Sequence, residues 1–249
     1  MDNLLIAGRY VSQFVFVEME VGEGTMDDRE GYDGIIGMRR PPKDDKKYEP
    51  FKTTLLDYLV NAGIVSDAIF TFRFCGKPGV REDSWFENGN VVFGGVRADH
   101  HRSSIAYVSL YKSRQWMIKI DRIEYGNVLL CRKCLAAVDT GYTVTHAPIG
   151  PSNILLRNSV VEIYVDGILH VLPENLPRVR PIKITFASRT FILPPEELTR
   201  STNDVNVFGL QMIQDSTDIE WVLGVSLLRH FLAVFDQQNN RMGFAAVQC

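Results

Sequence analysis

The chain has 249 residues, 45% hydrophobic and 23% charged, an ordinary globular composition that can bury a sizeable core. Its formal net charge of −3 and pI of about 6.0 give no basic footprint for nucleic acid. The most basic cluster, Lys43 to Lys47, is interrupted by Asp44 and Asp45, and no apolar run of about 18 residues predicts a membrane span.

Leu4-Leu5-Ile6, Val11, Phe14 to Val17, Met19 and Val21 alternate or run apolar about Gly8, which predicts two strands and a turn. Residues 22–31 form a polar loop. Tyr32 to Met38, apolar and flanked by glycines, is expected as a short buried strand. Pro41 to Lys47 is a turn and loop. Leu55, Leu56, Leu59 and Val60 share one helical face, and Gly63 stands at the C-terminal stop of that helix. Ile69 to Phe74 and Val91 to Gly95 read as strands. Arg97 to Ser104 is a polar loop. Asp99, His100 and His101 carry metal-ligating groups, but sequence neighbours rarely share an ion, and no metal is expected.

Ile105 to Leu110, Gln115 to Ile120 and Ile123 to Leu130 are strand-like. A short helix is expected through Ile154-Leu155-Leu156, and a hairpin from Pro181 to Phe186 and Thr190 to Pro195. Trp221 to Leu223 and Phe231 to Asp236 close the series, with a turn from Gln237 to Arg241. Many short strands and few helices predict an all-β fold.

Four cysteines, Cys75, Cys131, Cys134 and Cys249, admit three pairings, and spacing does not choose among them. Cys131-Arg132-Lys133-Cys134 lacks the second ligand pair of a zinc site and the βαβ setting of a thioredoxin-like dithiol.

The stretch Leu135-Ala136-Ala137-Val138-Asp139-Thr140-Gly141-Tyr142-Thr143-Val144 stands apart. Small and β-branched residues up to Val138 make a buried strand. Gly141 permits a tight turn and Thr140 can hold it by a local hydrogen bond. A carboxylate thereby sits on a stiff loop at the end of a core strand. It is either a turn aspartate or a chemically used one, since an unpaired carboxylate so placed is costly.

Asp139-Thr140-Gly141 is joined by Tyr32 to Gly37 and Val91 to Gly95 upstream. Downstream stand Trp221-Val222-Leu223-Gly224, Phe235-Asp236 and Arg241 to Ala245. In this order the set resembles the pepsin-like aspartic endopeptidases, from about Asp2 to about Val247. The resemblance implies an all-β, pepsin-like acid protease fold with a complete second lobe and a partial first lobe. Residues 1–98 would belong to the first lobe and 99–249 to the second, crossing near 97–104. It implies a catalytic role for Asp139, supported by Thr140, Gly141, Tyr142 and Thr143, beside the strand at Trp221. Tyr32, Ile35 and Val222 would lie near substrate side chains, and Cys131–Cys134 would be a small disulfide loop. A peptide or protein substrate follows, with no cofactor, and a secreted or lysosomal or vacuolar setting; the oligomeric state is not indicated. The N-terminus has no signal-peptide pattern, and no Asn-x-Ser/Thr sequon occurs.

The family pairs two aspartates. Here a single Asp-Thr-Gly occurs, and the flap hairpin is not found. Tyr142 stands where the family places a hydroxyl, and Val225 where it usually has Asp. The expectation is an endopeptidase represented by a partial chain that is inactive alone. A catalytically silent protease-like binder and a self-paired enzyme are the alternatives.

Overall fold

The computed structural model describes residues 1–18, 34–40, 52–75, 89–112, 115–163, 168–202, 205–212 and 221–249. The loops expected at 22–31 and 41–47, the strand residues Met19 and Val21, and Tyr32 lie outside the described residues.

Strands β1 (Asp2–Ile6) and β2 (Arg9–Phe14) form a hairpin. Its turn, Ala7-Gly8, has positive φ at both residues (47° and 74°), the twist a two-residue hairpin favours. Helix α1 (Leu55–Asn61) begins at Thr54. The Thr54 hydroxyl accepts from the Asp57 N–H, and the Asp57 carboxylate accepts from the Thr54 N–H. Gly63, at φ 64°, ends it as expected. Leu55 and Leu59 bury with Val11, seating the helix on the β2 side of the hairpin.

The remaining elements run β3 (Ile69–Arg73), β4 (Asn90–Phe93), β5 (Ala106–Ser109), β6 (Met117–Tyr125), β7 (Val128–Val138), β8 (Thr145–Ala147), α2 (Ile149–Asn158), β9 (Val161–Ile163), β10 (Leu169–Val171), β11 (Ile182–Phe186), β12 (Arg189–Leu193), β13 (Thr199–Thr202), β14 (Val205–Phe208), β15 (Leu210–Met212), β16 (Trp221–Leu223), α3 (Val225–Leu228), β17 (Phe231–Asp236) and β18 (Arg241–Ala246). The all-β expectation is borne out.

Among the described residues a seven-stranded sheet runs β12-β11-β6-β7-β16-β8-β15, and a five-stranded sheet runs β4-β3-β17-β18-β5. The smaller sheets are β13-β14-β10-β9 and the β1-β2 hairpin. The last two strands of the chain thus sit between elements from its first half. Phe70 of β3 stacks on Phe235 of β17 at 4.6 Å, and Trp116 meets both edge-on at 5.5 and 5.1 Å. Fully burying each such ring contributes about 2–3 kcal/mol. This aromatic knot fixes the five-stranded sheet against the start of β6.

Two expectations are corrected. The break expected between Ile120 and Ile123 does not exist, because β6 runs unbroken from Met117 to Tyr125. Asp121 is simply an outward position of that strand, and the turn falls at Gly126, φ 57°. The buried strand expected up to Met38 is not formed in its described part: residues 34–40 have no strand, and Ile35 and Ile36 are 76% and 47% exposed. No described strand pairs with them. The segment is held instead by the Trp116 indole N–H, which donates to the Met38 carbonyl at 2.7 Å, and by Arg40 bonding Asn240. The polar loop expected at 97–104 reaches inward at one residue. His100 is buried at 3%, and its carbonyl accepts from the Gln248 N–H at 2.9 Å.

The structure pairs Cys131 with Cys134 and Cys75 with Cys249.

Candidate active site

Strand β7 ends in Ala136-Ala137-Val138, all buried. It is flanked on both sides. Ala136 lies opposite Ile118 of β6 and beside Trp221 of β16, and Ala137 opposite Met117 and beside Val222. Both sheet neighbours being in place, the run reads as continuously apolar.

At the end of β7 the chain leaves the sheet and returns as β8, with β16 inserted between the two. β16 is parallel to β7, while Val222 pairs antiparallel with His146 of β8. The intervening loop carries Asp139. Its N–H donates to the Leu223 carbonyl at 3.1 Å, which extends the β16 register by one residue. Its Oδ1 accepts from the Gly141 N–H at 2.9 Å, the local turn that an aspartate supports. A Cβ on Gly141 would stand 3.2 Å from that oxygen, so glycine keeps the loop close to its carboxylate. Asp139 and Thr140 are half-buried, whereas Gly141, Tyr142 and Thr143 are exposed. The carboxylate is rigidly held and open to solvent on one side.

The far side of the loop is pinned from α3. The Val225 N–H donates to the Tyr142 carbonyl at 2.7 Å, and the Ser226 N–H to the Thr143 carbonyl at 2.9 Å. Beneath lies a hydroxyl pair that sequence reasoning missed. Thr145, fully buried, accepts at Oγ1 from the Gly224 N–H at 3.1 Å and donates its N–H to Ser226 Oγ at 2.9 Å. Ser226 Oγ donates to the Gly209 carbonyl at 2.8 Å. These bonds satisfy polar groups that burial would otherwise leave costly. The one signal was Ser226, a single hydroxyl residue inside the apolar run Val225 to Leu228.

Tyr142 packs edge-on against His146, ring centroids 5.1 Å apart, and burial lowers the His146 pKa. Of the residues expected near substrate, Val222 is buried at 3% in the sheet, Ile35 is exposed, and Tyr32 lies outside the described residues. Among the described residues no group of three or more His, Cys, Asp or Glu could hold a metal ion, Asp99, His100 and His101 included. A single carboxylate held this way can accept a proton from water or position it. It cannot at the same time protonate the oxygen that water attacks.

A family model described as eukaryotic aspartyl protease matches residues 1–247. Among curated relatives, the chain is 26% identical to renin of Rattus norvegicus, over 86% of this chain and 53% of that protein. It is 24% identical to cathepsin D of Homo sapiens, over 96% of this chain and 58% of that protein. It is 23% identical to pepsin A of Gallus gallus, over 98% of this chain and 64% of that protein. The chain thus spans between half and two thirds of the length of these relatives.

Proposed function

The chain belongs to the eukaryotic aspartyl protease family, with the all-β pepsin-like fold, and from that premise we propose that it contributes one half of an aspartic-type endopeptidase site. In this reading Asp139 is one of two carboxylates that activate water against a peptide bond. The observation that carries it is the hold on Asp139: its backbone is locked to Leu223, its side chain to Gly141, and its loop to α3.

The chemistry needs a second carboxylate. Water is a weak nucleophile, and one group must take its proton while another donates to the carbonyl oxygen. Two close carboxylates share one proton because both cannot ionise cheaply, an effect for which aspartic proteases are the standard illustration. The second group would come from chain outside residues 1–249, the present residues 1–98 being part of the first lobe and 99–249 the second. The 249 residues alone would then not cleave. Ile35, which is exposed, would stand towards the substrate, which is a peptide or protein chain.

The test is a pH–rate profile of an extended protein that carries a second Asp-Thr-Gly loop. Acid-range cleavage should appear, and Asp139→Asn should lower it by about two to four orders of magnitude. Tyr142→Thr, which restores a hydroxyl beside Asp139, should raise the rate or leave it unchanged. Undiminished cleavage by Asp139→Asn would end this reading. An extended protein that binds peptides without cutting them would replace it with a silent binder.

A further inference from the structure

Cys131 and Cys134 lie three residues apart within β7, with Cα atoms 6.2 Å apart. Three residues of extended strand span about 10 Å, and their side chains face opposite sides of the sheet. Something must shorten the strand. Lys133 does so, at φ 53°, a left-handed conformation that a residue with a Cβ resists.

The ladder keeps one register across this kink, from Met117 to Ile123, and shifts just beyond it, between Ile123 and Glu124. Ile120 lies opposite Cys134, Arg122 opposite Arg132, and Ile123 opposite Cys131, in step with Met117 opposite Ala137. Only the Asp121–Lys133 pair drops out of the run. Opening the disulfide therefore needs no slip of β7 past β6. In an open form Lys133 would return to the extended conformation with the pairs from Met117 to Ile123 kept.

Charge and access point the same way. Arg132 and Lys133 are exposed between the two cysteines in sequence, and Arg122, ion-paired with Glu124 at 3.0 Å, is the cross-strand neighbour of Arg132. Cations beside a thiol favour its thiolate, and they draw anionic reactants. Cys131 is partly exposed, whereas Cys134 is buried at 7%. Cys75–Cys249 contrasts with it, since it closes a separation of 174 residues and ties β3 to the C-terminal residues.

We propose that Cys131–Cys134 is a thiol–disulfide exchange site for small anionic thiols. A thiolate RS⁻ attacks Cys131 Sγ. The new R–S–S–Cys131 bond forms as the Cys131–Cys134 bond breaks, and Cys134 Sγ leaves with the electron pair and takes a proton from water. A second thiolate attacks the R sulfur of the mixed disulfide, releasing RSSR and the Cys131 thiolate. Two thiols are oxidised to one disulfide, and the protein pair takes up two electrons. The proposal does not depend on the protease reading.

The experiment equilibrates the full chain with graded ratios of reduced and oxidised 2-mercaptoethanesulfonate, quenches by alkylation, and reads each cysteine pair by peptide mass. Cys131–Cys134 should open at a thiol concentration about tenfold or more below that needed for Cys75–Cys249, with the far-ultraviolet circular dichroism unchanged. Cysteamine, a cationic thiol, should react several-fold more slowly at equal thiolate concentration, and salt should close the gap. Lys133→Gly admits the left-handed backbone and weakens the extended form, so it should shift the equilibrium about fivefold or more toward the disulfide. Lys133→Val should shift it the other way. Simultaneous reduction of both disulfides, loss of structure on opening Cys131–Cys134, or an unmoved equilibrium in Lys133→Gly would each overturn the proposal. Equal rates for the two thiols would overturn the preference for anions.

Discussion

A Cβ built on Gly224 would stand 2.6 Å from the carbonyl oxygen of Tyr142. The Val144 carbonyl oxygen lies equally close, at 2.6 Å. The turn carrying Gly224, between β16 and α3, and the loop carrying Asp139 therefore touch backbone to backbone, and no side-chain movement can make room.

Gly224→Ala should be destabilising by about 2–3 kcal/mol, the upper part of the range for overpacking a tight site. For a chain of this size that lowers Tm by about 5–10 °C. Calorimetry checks it, and an unchanged Tm would mean that the two segments can part freely.

Asp139→Asn should leave stability within about 0.5 kcal/mol of the parent, because the amide oxygen can still accept from the Gly141 N–H and the site is half-open. Any loss of cleavage in the extended protein is then chemical. A denaturant titration of both forms separates the two effects.

Asp236 gives a pH prediction. Its side chain is fully buried, which pushes its pKa up, but bonds from Arg241 at 2.7 Å and from Asn239 at 3.0 Å outweigh burial and hold it below the usual carboxylate range. A depressed folded pKa adds stability above the unfolded value, and that stability is lost as pH falls through the folded value. Asp236→Asn should cost about 2–3 kcal/mol near neutrality, less than for a wholly buried pair because Arg241 is 38% exposed. The difference between parent and variant should stay constant down to about pH 5 and shrink below about pH 4. A gap that widens in acid would contradict the assignment.

Cys249→Ser should lower stability by about 2–5 kcal/mol, because it frees a closed loop of 174 residues in sequence separation. Cys131→Ser, which frees a loop of three, should cost clearly less. Parallel thermal melts of the two variants decide the order.

Much of this molecule was legible in its residues. The Asp-Thr-Gly turn after an apolar run, the one-sided helix at Leu55 and the hairpin about Ala187-Ser188 each carry a local pattern, and each formed. The failures were matters of neighbours. Ile35-Ile36 is as apolar as a buried strand, but a sequence shows the preference and not the strand that would satisfy it. Strands β9 and β10 have three residues each, too few for a period to show. Four cysteines never reveal their partners by spacing, so Cys75–Cys249 was one possibility among three. The lattice under Asp139 was hidden because Thr145 and Ser226 meet across 81 positions.

The placement of β17 and β18 has a consequence for how the chain is made. β3 and β4 pair with each other early, but a lone two-stranded ribbon is marginal in water. Among the described residues β5 has no sheet partner except β18, and β3 reaches the rest of its sheet only through β17. On the ribosome, the edges of β3 and β5 must therefore wait, unpaired, while more than a hundred further residues are synthesised. The joining sheet closes as one late event when residues 231–246 emerge, and a chain that stalls before them leaves both edges open to the wrong partner.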